Sequence, residues 1–516
     1  MDSSRRRSEA DVSSIDYHAL LPELIIAATV LLTLIVDLTT RKKYLVAITA
    51  MVGLFAAFVP VLTLAFCDSL EFCTATGADR VLFGGTYVVD GYSLVFKGLF
   101  IFAAFIVILL SIGFLGSARY YEGEYYFLLI ASAMGAVVMA SSRDFVTMIV
   151  ALELVSGPAF LLAGWKKADP RSNEAALKFF ITGVIALALL LFGVSLVYGL
   201  TGTLQFDQIA IASVAVADTP LFTLGVIFVI LGFGFKVSAV PFHFWTPDTY
   251  EGAPTPVSAW LSVGSKAAGF VGLLSVTYLA FPEAADVWGP PLWLVAVLSM
   301  TVGNIVAIKQ TNIIRMLGYS SIAQAGFMLA PFGAAAASKS GNFDEAFYAT
   351  VTYLLIYAVM NLGAFGVAIV IGTRVGSYEL KDWRGLNRWA PGLALTLAVF
   401  FMSLAGLPPL AGWFAKFAMF QATIGVGNWW GYSIAIIAAV NAVIAFVYYS
   451  NVVKTAFFDS VPEGVDIEAL ENERITAPIG FALGLTVFGV LILGVFPGLA
   501  ASLGEFGAEV VALIGG

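Results

Sequence analysis

"GFGFKVSAVPFHFWTPDTYEGAPTP", Gly232 to Pro256, closes an apolar run, "PLFTLGVIFVILGFGF" (Pro220 to Phe235), that is long enough for most of a bilayer crossing. It places a lysine, a proline and a histidine where such a run is normally dry. A cation near the bilayer centre costs at least about 2.5 to 3.5 kcal/mol on insertion scales, so Lys236 needs a partner, a wet cavity or a task. Pro241 removes a helix hydrogen bond just beyond it, which predicts unwound backbone and water beside the charge. His243, Thr246, Asp248, Thr249 and Glu251 prolong the polar stretch. The segment reads as a wet break in a membrane helix.

The rest of the chain agrees with that reading. Of 516 residues, 60% are hydrophobic and 12% charged, whereas an ordinary globular domain has about 25% charged residues. Apolar runs of spanning length recur from Leu20 to Phe496, about fourteen in all. They predict an all-α, polytopic transmembrane helix bundle in which helices 7 and 12 are broken, with no soluble domain left over. The polar start "MDSSRRRSEADVSS" precedes a retained helix and lacks the layout of a signal peptide. Lys and Arg gather in alternate loops, at Arg41 to Lys43, Lys166, Lys167, Arg171, Lys309, Arg315 and Arg374 to Arg388. The positive-inside rule then puts that side in the cytoplasm and both termini outside.

Several function classes drop out. The net charge of −8 comes from loops such as "DSVPEGVDIEALENE" (Asp459 to Glu473), and no basic stripe suits nucleic acid. The only cysteines, Cys67 and Cys73, fall in one loop on the outer side, where a disulfide and two free thiols are equally permitted. Two cysteines cannot hold an iron–sulfur cluster, which needs four ligands. No Walker A and no complete G-x-G-x-x-G occurs. Redox and nucleotide chemistry is therefore expected in other subunits.

Five lysines lie inside spans: Lys97, Lys178, Lys236, Lys266 and Lys416. Lys266 sits in "VSAWLSVGSKAAGFVGLLSVTYLAF" among serines and glycines, which leave room for water and close helix approach. Lys416 follows "LAGLPPLAGWFAKF", a charge beside a proline break, as at Lys236. Lys178 is near the start of its span, where snorkelling competes with function, and Lys97 reads as packing or snorkelling. Glu153, in "FVTMIVALELVSGPAFLLAGW", is expected to be a strongly buried carboxylate, and a pairing with Lys236 is the hypothesis. In such a pair each charge favours the other, so moving the carboxylate would load or release a proton. His243 is a candidate relay, and Asp248 and Glu251 read as interface caps.

An internal repeat is visible. Lys236 aligns with Lys416 and Glu153 with Gln324, five spans later, and an odd shift inverts the second copy in the membrane. The expected organisation is a tail and helices 1–3 (residues 1–122), a first inverted repeat of helices 4–8 (123–281), a second of helices 9–13 (282–458), and an acidic loop, helix 14 and tail (459–516).

"LLPELIIA", "LELVSGPAFLLAGW", "EAALKFFITG", "NIVAIKQTNIIRMLGYSSIAQAGFML" and the two proline-break motifs resemble the antiporter-like proton-translocating subunits of respiratory complex I, with subunit N of bacterial NADH-quinone oxidoreductase the most similar branch. The resemblance implies proton translocation driven by NADH-to-quinone electron transfer in other subunits. It implies that Glu153 modulates Lys236, that Lys178 serves the intake side, that His243 and Lys266 form a central relay, and that Lys416 releases the proton. Gln324 departs from the histidine frequent in the family near that point, so the resemblance leaves the link between the two half-channels open. No cofactor is implied in this chain, with NADH, flavin, iron–sulfur clusters and quinone in partner subunits. The implied partners are membrane-arm subunits K, M, L and J and membrane lipid, in the bacterial cytoplasmic membrane. Subunits of multi-subunit cation/proton antiporters and membrane-bound hydrogenases share these motifs, and a stand-alone transporter or a scaffold are the readings from other classes.

Overall fold

Apolar runs bounded by polar caps become helices. Asp144 accepts the amides of Val146 and Thr147 at 2.8 and 3.0 Å, and Asn312 those of Ile314 and Arg315 at 3.0 and 3.1 Å, each satisfying amides that lack a helical partner. The structure, a computed structural model, describes residues 16–67, 80–118, 123–338, 343–462, 470 and 475–512. Cys73 lies outside the described residues, and with it the expectation about a Cys67–Cys73 bond.

The order is α1 (Tyr17–Thr39), α2 (Tyr44–Ala65), a hairpin of β1 (Arg80–Leu82) and β2 (Tyr87–Val89), α3 (Gly91–Ala118), α4 (Gly123–Ser141), α5 (Phe145–Ala163) and α6 (Pro170–Thr201). Then come α7 (Phe206–Val216), α8 (Pro220–Lys236), α9 (Trp245–Gly252), and a rod made of α10 (Thr255–Trp260), a π turn (Leu261–Ser265), α11 (Lys266–Ser275) and a second π turn (Val276–Ala280). The chain continues through α12 (Ala285–Ala307), α13 (Ile313–Ala337), α14 (Phe343–Val375), the short α15 (Leu386–Trp389), α16 (Pro391–Ala405), α17 (Ala411–Gly425), α18 (Trp429–Phe458), α19 (Ala477–Val495) and α20 (Gly498–Ala512).

Eleven described helical segments are long and apolar enough to cross a membrane. Adding α13 and the interrupted pairs α8/α9 and α16/α17 gives the about fourteen crossings expected from the sequence. The chain is a multi-pass, all-α membrane bundle. Its layers follow from lipid being as apolar as leucine: outer helices need no polar face, and polar groups must turn inward. The rod Thr255–Ala280 is buried at every residue but Leu279 and α14 nearly so, whereas α1, α2, α6 and α19 keep one apolar face uncovered. The two lysine-bearing breaks flank this buried centre, with α8 packed on α11 and α17 on α14. The β-hairpin and the short helices α7 and α20 were not anticipated.

Candidate functional site: a chain of buried lysines

At the end of the bundle that carries the basic loops, a cavity of about 340 Å³ opens between α6, α9 and α13. Lys178 Nζ lies 2.6 Å from both Glu174 Oε1 and Asp248 Oδ2. Arg315 Nη1 reaches the other Asp248 oxygen at 2.7 Å and Glu251 Oε2 at 3.0 Å. Asp248 and Glu251 thus do more than cap the interface. They tie the broken helix to α13, and Lys178, 43% exposed, sits in a water-accessible charged mouth.

Above the mouth, α8 ends at Lys236 because its chain turns. Ser238 adopts φ +61°, a left-handed conformation uncommon for serine, and the Val240 amide donates to Ser299 Oγ at 2.9 Å. Lys236 is buried at 5% exposure and donates to Ser156 Oγ of α5, with the Phe160 and Phe235 rings 5.8 and 5.6 Å away. The expectation about Glu153 is corrected here. Glu153 is half-buried and has no oxygen within ion-pairing distance of Lys236, although its charge still acts there. Ser156, one helical turn further along α5, takes the contact instead.

Gly269 of α11 closes on Lys236 from the other side. A Cβ there would stand 2.8 Å from Lys236 Cβ, so only glycine allows this approach. One turn earlier, Lys266 is 1% exposed and donates to the Ser321 carbonyl of α13 at 2.6 Å. It follows directly on a π turn, a distortion that recurs at functional sites. The Tyr357 hydroxyl donates to Ser321 Oγ at 3.0 Å, and Asn361 Nδ2 to Ser262 Oγ at 2.8 Å. His243 is half-buried and its Nδ1 has no hydrogen-bond partner, so among the described residues it stands apart from these contacts.

The second break follows from elementary chemistry. Pro408 and Pro409 have no N–H, so the carbonyls four residues earlier, Leu404 and Ala405, lose their helical donors. Gln324 Nε2 fills the first at 3.2 Å and Lys416 Nζ the second at 2.6 Å. Lys416 is 6% exposed and lies 5.2 Å from the Phe327 ring. Gln324 also accepts from Tyr353 at 2.6 Å and donates to Tyr449 at 3.3 Å, and Tyr449 meets Ser320 at 2.5 Å. Gln324 therefore gathers the Leu404 carbonyl, Tyr353 and Tyr449 at one point beside the second break. Tyr448, Asn304 and Asn441 extend the network into α12 and α18, with Tyr448 donating to Asn304 at 3.1 Å. Asparagines in apolar spans are a signal that a sequence reading could have used. The tyrosines carry none.

The arrangement is a series of polar clusters set in an apolar core, built from amines, hydroxyls and bare carbonyls. Among the described residues no three His, Cys, Asp or Glu side chains gather as a metal site. Amines and hydroxyls of this kind can hold protons.

Residues 142–442 match the family described as NADH:quinone oxidoreductase/Mrp antiporter, TM. The chain is 44% identical over 466 residues to NADH-quinone oxidoreductase subunit N 2 of Streptomyces griseus, covering 88% of this chain and 84% of that one. It is similar to a chain of the respiratory complex I of Thermus thermophilus solved with bound aureothin, at TM-score 0.72 and 30% identity, covering 94% and 99% of the two chains. It shares the fold of a chain of the Mrp complex of Dietzia, at TM-score 0.82 and 18% identity over 96% and 98%.

Proposed function

The chain belongs to the subunit N family of NADH-quinone oxidoreductase, and from that premise we propose that it is a membrane-arm subunit carrying protons across the bilayer. Protons enter at the Lys178–Asp248 mouth, load Lys236 under the control of the Glu153 charge, pass Lys266 with His243 as a side branch, and leave from Lys416. NADH-to-quinone electron transfer in other subunits drives the movement. NADH, flavin, iron–sulfur clusters and quinone belong to those partners, and this chain holds no cofactor. The other membrane-arm subunits, K, M, L and J, flank it in the bacterial cytoplasmic membrane. The basic end faces the cytoplasm and both termini face outward. Residues 123–281 and 282–458 act as two inverted half-channels joined at Gln324.

One observation carries this reading. Lys236, Lys266 and Lys416 are all buried, and each directs its nitrogen at a neutral oxygen, without a carboxylate in ion-pairing range. A buried charge kept only for architecture is normally paired, because an uncompensated one is strongly destabilising. Amines held on neutral oxygens suit groups that gain and lose a proton.

The test is Lys236→Met in the assembled complex, reconstituted in proteoliposomes, with NADH-driven quinone reduction and proton translocation measured together. The expected result is a lower proton-to-electron ratio. A ratio equal to the parent's, with the quinone reductase rate retained, defeats the reading. The antiporter alternative is separated by mass spectrometry of the native complex: NADH dehydrogenase subunits support the present reading, and antiporter or hydrogenase subunits overturn its coupling reaction.

A further inference from the structure

The most enclosed lysine in the spans is none of those in these clusters. Lys97 of α3 is 0% exposed, and its nitrogen lies 2.8 Å from Glu23 Oε1 of α1. Glu23 is itself 8% exposed. The Tyr87 hydroxyl donates to the same oxygen at 2.7 Å, and the Lys97 nitrogen stands 5.3 Å from the Tyr87 ring. The hairpin strand β2 is thus folded over the pair as a lid. Of the packing and snorkelling readings of Lys97, the pair with Glu23 under Tyr87 bears out packing.

The two carboxylate oxygens are treated differently. Oε1 receives the ammonium and the phenol, while Oε2 is buried without a hydrogen-bond partner, and the ammonium meets Oε1 without a directed hydrogen bond. Burial, then the Glu23 charge, push the Tyr87 phenol well above its usual range, so it remains a donor. A pair built for strength would use both oxygens. Here a proton can settle on Oε2 without breaking any contact to Oε1.

The surroundings are ionisable as well. Arg143, in the turn between α4 and α5, pairs with Asp90 at 2.5 Å and faces the Tyr92 ring at 5.8 Å. Its charge also acts on Tyr87. Tyr92 donates to the Val271 carbonyl of α11 at 2.9 Å and meets Ser275 Oγ at 3.5 Å. A polar trail therefore runs from the helix that carries Lys266 to the Glu23 corner, at the end of the bundle opposite the basic loops.

We propose that Lys97 and Glu23 form a further proton-holding site, outside the two half-channels, that exchanges protons with the outer side. Within the pair an N–H bond of the ammonium breaks and an O–H bond forms at Oε2, leaving a neutral amine beside a carboxylic acid. That internal transfer leaves the proton count of the pair unchanged; the neutral amine then takes up one proton from water on the outer side, an N–H bond forming as an O–H bond of hydronium breaks, and the Oε2 acid gives one up to water by the reverse step. This rests on the reading of the chain as a proton translocator.

The test uses the assembled complex with Glu23→Gln, Lys97→Met and the double variant, scored for assembly on native gels and for proton-to-electron ratio in proteoliposomes. Each single variant strands one buried partner and is expected to weaken assembly. The double variant removes both charges, which is often neutral for stability, and is expected to assemble and to translocate fewer protons per electron. A double variant with the parent's ratio makes the pair architectural and overturns the proposal. Should the double variant not assemble, Glu23→Gln carries the test with the same two outcomes, because its amide oxygen keeps the Tyr87 contact. Lys236→Met in the same series keeps the failures apart: loss of pumping there with full pumping in the double variant defeats this inference alone.

Discussion

Replacing Gln324 with methionine keeps the volume of the side chain and removes its chemistry. Three contacts go: the acceptor for Tyr353 at 2.6 Å, and the donors to the Leu404 carbonyl at 3.2 Å and to Tyr449 at 3.3 Å. Tyr449 retains Ser320, so its loss is small. The Tyr353 hydroxyl and the Leu404 carbonyl do not recover, since Tyr353 is 1% exposed and Pro408 offers Leu404 no amide. A buried polar group stranded in this way costs about 1 to 3 kcal/mol, so the pair of them costs about 2 to 6 kcal/mol. That is at the upper end of what single substitutions do. The assay is retention of the subunit in the complex after graded heating in detergent, followed by the proton-to-electron ratio of the surviving complex. Both should fall, and Gln324→Glu, which keeps an acceptor for Tyr353, should fall between the two. A Gln324→Met complex with the parent's heat resistance and ratio would refute the reasoning about the carbonyls freed by the proline break.

Further outcomes follow from the same contacts. Gly406 adopts φ +90° and a Cβ there would meet Lys416 Cδ at 2.7 Å, so Gly406→Ala costs about 1 to 2 kcal/mol in backbone strain and displaces Lys416, to be read as a loss of pumping beyond the loss of assembly. Ser156→Ala removes the oxygen that holds Lys236, a charge-assisted hydrogen bond contributing about 1.5 to 3 kcal/mol, and should slow proton translocation more than Glu153→Gln lowers assembly. Arg315→Gln disrupts partly exposed ion pairs at the mouth contributing about 1 kcal/mol each, so native-gel yield should hold while the pumping rate falls.

The parts of this protein that could be read from sequence are those governed by composition and by missing amide hydrogens. Pro241 and the Pro408–Pro409 pair announce two breaks, because no arrangement of neighbours can give a proline an N–H. The lysines in apolar runs announce a polar interior on cost alone. What was not legible is which atom each lysine reaches. Lys236 meets Ser156 instead of Glu153 because the rotation of α5 about its axis is set by packing, which spacing along the chain does not encode. For Lys97 the sequence left packing and snorkelling open; the structure shows it paired with Glu23, and what spacing could not give is that β2 covers that end of the helix. Tyr353 and Tyr449 look like any aromatic residues in a membrane span until α14 and α18 bring their hydroxyls to Gln324.

The contact between Gly269 and Lys236 has a mechanical meaning. Where two helices meet through side chains, rotamer changes absorb small relative movements. Here one face has no side chain, and the backbone of α11 bears directly on the stem of the lysine. Close-packed matter of this kind transmits displacement instead of damping it. Any slide or twist of α11 at this contact would therefore bear on the stem of Lys236 with no side chain between to yield, and the same helix carries Lys266 one turn away.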